Sequence, residues 1–175
     1  MKQTGRCQCG RINYQFNQKD VLSAHHCHCK DCQRSTGSGK ATILYIPSKK
    51  LTIEGELKYY ESKGSLGSNI RRGFCSNCGS GVMSYAKQMP MLKFLKAGTL
   101  DDSSWLKIHS NFFSKSAEEW NAPVEGIKCF EGNPDMLSSL KNVIKSLSVS
   151  YTHLTLPTKS SGGLWAGGGG VRGGG

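Results

Sequence analysis

The cysteines of this chain constrain its fold more than any other feature, because seven of the eight fall into three tight groups. The groups are a CxC pair, a CxCxxC triplet and a CxxC pair. Their members are Cys7 and Cys9, then Cys27, Cys29 and Cys32, then Cys75 and Cys78. Disulfide frameworks usually spread cysteines along a chain, since bridges that close long loops constrain the unfolded state more. We therefore expect metal or redox chemistry instead of a disulfide framework.

The first and third groups have the form of zinc knuckles. CQCG and FCSNCG each place two cysteines in a tight turn, followed directly by Gly10 and Gly79. Thiolates one or two residues apart can reach one zinc ion, which prefers four tetrahedral ligands. Glycine after the turn tolerates the positive φ that directs backbone amides toward the sulfurs. The two pairs can therefore supply four thiolates to one closed, structural site.

The CHCKDC triplet lacks a fourth cysteine of its own if the two pairs close on each other. Three protein ligands and one open position are typical of catalytic zinc. Spacing alone leaves other partitions open, because a knuckle cysteine or a histidine could complete the set. The candidates are His25, His26 and His28, although His28 alternates away from the neighbouring cysteines. With a histidine as fourth ligand the site would be purely structural.

The first two thirds of the chain predict a mainly β fold of antiparallel sheets. Ile12, Tyr14 and Phe16 alternate with polar residues, as in a half-buried strand. Further strands are predicted at ATILYI (41–46), LTI (51–53), LKYY (57–60), IRRGF (70–74), GVMSY (81–85), MLKFLKA (91–97) and KIHSNFF (107–113).

One amphipathic helix is predicted near the end of the chain. Asn133 can cap it and Pro134 suits its first turn. Apolar residues then recur at helical spacing as far as Leu147. From residue 149 onward the chain is rich in glycine, without periodicity, and similar to translated vector sequence. We expect a zinc-binding domain at 1–148 and a disordered, non-native tail at 149–175.

Charge and hydropathy point to a cytoplasmic protein without a membrane segment. The first ten residues contain no apolar signal-like stretch, and no run approaches the ~20 apolar residues of a membrane span. The formal net charge is +11, but the basic residues are scattered, with adjacent pairs only at 49–50 and 71–72. A dense basic run is more typical of nucleic-acid binding, which we do not expect.

The chain resembles the glutathione-dependent formaldehyde-activating enzyme family, which includes centromere protein V. The resemblance is carried by GRCQCGRINYQF, HHCHCKDCQRSTGSG, RRGFCSNCGSGVMSY and KAGTLDDSSWLKIHSNFFSKSAEEW, in that order. It implies a β-tent fold, in which antiparallel sheets are organised around zinc, and two zinc ions per chain. It assigns the structural ion to Cys7, Cys9, Cys75 and Cys78, and the catalytic ion to Cys27, Cys29 and Cys32. Cys129 has no place in this scheme, and we interpret it as a small buried hydrophobic residue.

The family reaction joins formaldehyde to glutathione, a carbon–sulfur lyase reaction in reverse. Zinc with three thiolates carries a formal charge of −1, so a soft thiol suits its fourth position better than water. Coordination would deprotonate that thiol, and the thiolate could attack an aldehyde. The added negative charge needs compensation, for which Lys30 and Arg34 are candidates as residues that bind the thiol substrate. His109 could act as an acid or base, although a structural role is favoured.

The sequence therefore predicts a zinc-dependent enzyme that adds glutathione or a similar small thiol to formaldehyde or a related small aldehyde. The main alternative is a zinc-stabilised basic module that binds nucleic acid or protein without catalysis. A third interpretation is zinc buffering or thiol sensing by the CxCxxC loop. The clustered triplet favours the enzyme, and no aromatic-basic motif for nucleic acid is visible in the sequence.

Overall fold

Strands account for most of the regular structure in this computed structural model, which describes residues 1–64 and 67–134. Within those residues there are eleven β-strands and one α-helix, joined by loops and single 3-10 turns. The elements are β1 (Lys2–Arg6), β2 (Asn13–Asn17), β3 (Ser23–Cys27), α1 (Lys30–Thr36), β4 (Ala41–Pro47), β5 (Thr52–Glu54), β6 (Leu57–Lys63), β7 (Asn69–Cys75), β8 (Gly81–Ala86), β9 (Leu92–Lys96), β10 (Ser110–Phe112) and β11 (Lys128–Phe130). The predicted mainly β class is confirmed.

The strands form two sheets. The smaller is antiparallel with the order β1-β2-β5, and the larger has eight strands in the order β11-β10-β3-β4-β9-β8-β7-β6. The strand pairs are antiparallel as expected except at β10, which runs parallel to both β3 and β11. A tight hairpin imposes antiparallel pairing, whereas the long connection between Lys96 and Ser110 lets β10 enter alongside β3 in the same direction.

Every strand predicted from alternation is present in the structure, some of them shortened. The segment at 107–113 contributes only Ser110–Phe112, so His109 precedes the strand. The sequence reading missed β1, β3, β11 and the helix α1. The helix has local signals, because the Cys29 side chain caps its N-terminus and Gly37 ends it in the left-handed conformation at φ 64°. The N-terminal cap is itself a cysteine of the triplet, so its sequence signature is that of a metal ligand and not of a helix start.

The core lies between the small sheet and one face of the large sheet. Leu44 and Leu95 are opposite each other on β4 and β9 and are fully buried. They belong to the same apolar cluster as Tyr14 and Phe16 of the small sheet. Because successive strand residues point to opposite faces, the alternate residues of β3, β4 and β9 project from the other face. That second face forms the floor of the pocket described below.

The predicted C-terminal helix and the tail from 149 onward lie outside the described residues, apart from the cap at Asn133 and Pro134. Within residues 1–64 and 67–134, the helices are too short and too polar to be membrane spans.

Candidate metal centres

The cysteines of the two knuckles converge into one four-sulfur cluster. Their sulfurs all lie within 4.8 Å of one another. The Cys9 sulfur is 3.6 Å from that of Cys7 and 3.7 Å from that of Cys75. Zn–S bonds of about 2.3 Å in a tetrahedron place the sulfurs about 3.8 Å apart. The spacing of these thiols therefore fits a zinc ion.

The four-sulfur cluster connects the two sheets. Cys7 and Cys9 lie in the connection between β1 and β2, whereas Cys75 ends β7 and Cys78 lies in the turn before β8. The glycine that follows each knuckle has the predicted positive φ, 75° at position 10 and 73° at position 79. The backbone amide of Ile12 donates to the Cys7 sulfur at 3.3 Å. These turns hold the sulfurs in place, so a metal ion here would join the sheets.

The second cluster lies at the start of α1. Cys27 ends β3, Cys29 caps the helix and Cys32 is in its first turn. The sulfurs of Cys27 and Cys29 are 3.6 Å apart, and all three lie within 4.8 Å of one another. The backbone amide of Cys32 donates to the Cys29 sulfur at 3.4 Å. One turn of chain thus gathers three ligands, a donor set that also fits zinc.

The three thiols of this triplet differ in pKa. Hydrogen bonds with Cys27 and Cys32 hold the pKa of Cys29 well below its usual range. The same contacts, together with burial, raise the pKa of Cys27 and of Cys32. Three thiols packed this closely therefore resist becoming three thiolates by themselves, and a cation at their centre would relieve that repulsion.

No fourth protein ligand joins the triplet in the part of the chain that the structure describes. The groups that could hold a metal there contain no histidine nitrogen and no carboxylate oxygen. His26 instead forms a hydrogen bond of 2.9 Å with Thr42 through Nδ1. His28 is fully buried and takes no part in either cysteine group. The geometry thus favours a three-thiolate site over a CxCxxC-plus-histidine site.

A pocket of about 140 Å³ opens beside the three sulfurs. Its floor is the second face of the large sheet, because the lining residues alternate along each strand. On β4 and β9 these residues are Ala41, Ile43, Tyr45, Phe94 and Lys96. Tyr45 lies directly opposite Phe94 across the sheet, and Ile43 lies opposite Lys96. The sheet therefore places an aromatic and aliphatic surface next to the cysteines.

The pocket contains two cationic side chains that the sequence reading did not select. Arg72 projects from β7, only 18% exposed, and approaches Asp31 at 3.6 Å. The ammonium of Lys96 donates to the Ser35 carbonyl at 2.9 Å. Burial lowers the pKa of Lys96, although the nearby Cys32 opposes that shift. Lys96 is close enough to Cys32 to offset negative charge there, and Arg72 lines the same pocket beside Asp31.

The structure does not bring Lys30 and Arg34 into the pocket. Both side chains are exposed, and Lys30 pairs with Glu118. They are four residues apart on α1 and so share one face of the helix, while Cys32 and Ser35 face the pocket. Residues that are close to the cysteines in sequence are therefore separated from the pocket by the turn of the helix.

His25 is a pocket residue that the sequence reading considered only as a ligand. Its ring stacks on Phe112 at 3.9 Å and meets the edge of Tyr45 at 4.5 Å. It is 2% exposed, and burial lowers its pKa to about 3, so the ring is neutral. His25 and Cys27 are two residues apart on β3, and alternation would have placed them on one face had the strand been recognised.

Two further expectations have clear outcomes. His109 does not line the pocket, and its Nδ1 accepts a hydrogen bond from the Ala24 amide at 3.4 Å, which fits the favoured structural role.

Cys129 is exposed, so the prediction that it is a small buried hydrophobic residue is wrong. It lies on β11 at the edge of the large sheet, where its sulfur accepts a hydrogen bond from Asn111 at 3.2 Å.

Comparison with known proteins identifies the family. A family model described as glutathione-dependent formaldehyde-activating enzyme matches residues 2–116. No curated protein matches the chain. Among solved structures, the crystal structure of a Rhodobacter sphaeroides protein, a structural-genomics target, shares 20% identity and a TM-score of 0.44, covering 56% of this chain and 87% of that one. The assignment rests on the family model, which spans more than half of the chain. The chain belongs to the glutathione-dependent formaldehyde-activating enzyme family.

Proposed function

We propose that this protein is a zinc-dependent carbon–sulfur lyase-type enzyme that adds glutathione, or a similar small thiol, to formaldehyde or a related small aldehyde. One observation carries the proposal: three sulfurs converge at the wall of a pocket without a fourth protein ligand among the described residues. Family membership supports the reaction class. We also propose that the fold is the β-tent of this family and that the zinc-binding domain extends over residues 1–148.

Two zinc ions with different roles are part of this proposal. Cys7, Cys9, Cys75 and Cys78 would hold a structural ion between the two sheets, and the CxCxxC triplet would hold the catalytic one. Zinc with three thiolates supplies a fourth position that suits a soft thiol and lowers the pKa of that thiol. The rest of the chemistry depends on what the protein places around that position.

The pocket residues would act on the bound thiolate in two ways: the cations stabilise its charge, and the apolar floor keeps water away from its sulfur. Arg72 and Lys96 place two positive charges in a partly buried site, where charge–charge interactions are stronger than in water. Asp31 faces Arg72 and holds the guanidinium at the pocket wall. The apolar floor limits the water available to solvate the thiolate, so its nucleophilicity is preserved.

The reaction itself is an addition. The sulfur of the thiol forms a bond to the carbonyl carbon, the π bond of the carbonyl breaks, and the oxygen takes up one proton in place of the proton lost from sulfur. No oxidant or reductant is needed. The pocket contributes by holding the aldehyde beside the sulfur, because proximity converts a bimolecular step into one within a complex.

Calorimetric titration of glutathione into the zinc-loaded protein tests the proposal, with a Cys29→Ser variant as the comparison. Serine is a good helix cap, so this variant keeps the role of residue 29 at the start of α1 while removing one thiolate. Cys129→Ser is the matched control, since Cys129 is outside both clusters. We expect saturable binding by the native protein and the control, and none by Cys29→Ser. Two bound zinc ions without any heat from glutathione would contradict the proposal.

One structural observation bears on the alternative of a nucleic-acid-binding module. The opposite face of the large sheet carries Tyr59 and Tyr85, but the protein's own cations cover both rings. Arg71 lies 4.6 Å above the ring of Tyr59, and Lys93 lies 3.7 Å above that of Tyr85. Base stacking needs open aromatic faces. These two rings are therefore not available as a stacking platform, and strong salt-dependent retention on immobilised single-stranded DNA would favour the module.

A further inference from the structure

The pocket beside the cysteine triplet is larger than formaldehyde requires. Its volume is about 140 Å³. A single water molecule needs about 10–15 Å³ on a comparable measure, and a dry cavity of about 150 Å³ in another protein takes up benzene. Formaldehyde has only two non-hydrogen atoms, so beside the zinc ion and the thiol sulfur of the proposed function it would leave part of this space to water. The part of the pocket over the sheet can take a larger substituent.

The lining of the pocket is chemically suited to such a group. Tyr45 and Phe94 are packed together with ring centres 4.8 Å apart, and Ile43 lies beside them on the same face of β4. Phe112 enters from β10, with its ring stacked on that of His25 at a centre-to-centre distance of 3.9 Å. Water molecules find few hydrogen-bond partners on these surfaces. An apolar substituent that packs there is removed from solvent, which lowers the free energy of binding.

Phe113 adds a second, independent observation. Among the described residues it is the one non-glycine residue with a positive φ, 56°. A bulky side chain in the left-handed region is unfavourable and persists where the surroundings demand it. The unusual backbone breaks the alternation of β10, so that Phe112 and Phe113 both line the pocket. The fold thus accepts local strain at the point where it adds one more aromatic ring beside the sulfurs.

The charged groups of the pocket are engaged by the protein itself. Arg72 faces Asp31, and the Lys96 ammonium donates to the Ser35 carbonyl. Glutathione carries two carboxylates and an ammonium, which would lose their hydration on entering an apolar cavity. The peptide part of the thiol therefore belongs outside, and the apolar interior is available to the substituent of the aldehyde.

We propose that the preferred carbonyl substrate of this protein is an aldehyde with an apolar group of about the size of a phenyl ring, packed against Tyr45, Phe94 and Phe112. This inference rests on the proposed function, since it assumes thiol addition at the triplet. The bonds formed and broken are those of the addition described above, and no further reactant is required. The product is the hemithioacetal of a ring-bearing aldehyde instead of the hydroxymethyl thioether.

The test compares S-benzylglutathione with S-methylglutathione in calorimetric titrations of the zinc-loaded protein. These stable thioethers resemble the adducts of benzaldehyde and formaldehyde but lack the hydroxyl group. We expect the benzyl compound to bind at least tenfold more tightly, because its ring fills the apolar pocket. Equal affinities, a preference for the methyl compound, or no binding of the benzyl compound would overturn the inference.

Two variants show whether the preference comes from this pocket. Phe94→Ala removes one aromatic wall and should reduce the benzyl-to-methyl ratio to less than threefold. Tyr59→Ala removes an aromatic ring from the opposite face of the sheet and should leave the ratio unchanged. Failure of the proposed function would appear separately, as loss of glutathione binding itself. The measured ratio in the native protein decides the inference even if Phe94→Ala does not fold.

Discussion

Replacing Cys75 with serine tests whether the four-sulfur cluster supports the fold. Cys75 is 2% exposed and ends β7, and its sulfur lies 3.7 Å from that of Cys9, in the connection between β1 and β2 of the small sheet. Serine would leave three thiolates around the ion and a hydroxyl group that zinc binds poorly at neutral pH. The substitution therefore weakens the connection between the sheets while barely changing side-chain volume.

The expected loss of stability is large. Structural zinc sites contribute roughly 10–16 kcal/mol in small domains, so one thiolate of four is worth roughly 3–4 kcal/mol. Whole domains are stable by only about 5–15 kcal/mol. A chain of this length loses about 3 °C in Tm per kcal/mol, and Cys75→Ser should therefore melt about 10 °C below the native protein.

Thermal unfolding followed by circular dichroism, with zinc content measured on the same samples, provides the assay. Cys129→Ser is the matched control, because Cys129 is exposed and outside both clusters, and its Tm should match that of the native protein. A Cys75→Ser protein that melts within about 3 °C of the native protein would refute the argument that this cluster holds the sheets together.

Three further predictions concern the core, the pocket charge and alkaline stability. Leu95→Ala should lower the free energy of unfolding in urea by about 2–5 kcal/mol, because Leu95 is fully buried in the core, and a loss below 1 kcal/mol would contradict that packing. Arg72→Gln should weaken glutathione binding in calorimetry by about tenfold, because it removes a positive charge that stabilises the bound thiolate, while Arg71→Gln, on the opposite face, should not; equal effects would contradict the pocket assignment. Burial raises the pKa of Tyr14 above its ordinary value of 10, so above pH 10 the unfolded chain loses this proton before the folded protein does, and stability falls. Tyr14→Phe should lose about 1 kcal/mol at neutral pH, through the hydrogen bond to Thr99, but show a shallower alkaline decline in urea unfolding; an unchanged slope would contradict the burial argument.

The metal-binding potential of the chain was predictable because it is encoded locally. A knuckle needs only two cysteines at short spacing and a residue that tolerates positive φ, and Gly10 and Gly79 have that conformation. The pairing of the two knuckles with each other depends on the tertiary structure. Spacing allowed it and the family resemblance implied it, but only the fold shows that the end of β7 meets the connection after β1.

The pocket could not be predicted, because it is assembled from one face of several strands. Ile43 and Leu44 are adjacent and similar in sequence, yet one lines the pocket and the other lies in the core. A central strand covered on both faces shows no simple alternation. Lys96 and Arg72 were overlooked for the same reason, since their relation to the triplet depends on the order of strands in the sheet.

Helix α1 shows how one missed element affects the site. Without the helix, all residues that follow the triplet in sequence would be expected at similar distances from the sulfurs. The helix separates Ser35, which lines the pocket, from Arg34, which is exposed. Gly37 is a recognisable signal for the end of a helix, but the cap at the start is a cysteine and not one of the usual capping residues, so the sequence marked only one end of α1.

The most direct test of the central claim is cadmium-113 NMR of the protein loaded with this metal in place of zinc, before and after addition of glutathione. Each cluster should give its own resonance, because the four-sulfur and three-sulfur donor sets differ. The account predicts that glutathione moves one resonance toward the position of the other, and that this is the resonance lost in Cys29→Ser. Two resonances that both remain fixed, or that already coincide before glutathione is added, would contradict a thiol-accepting site at the triplet.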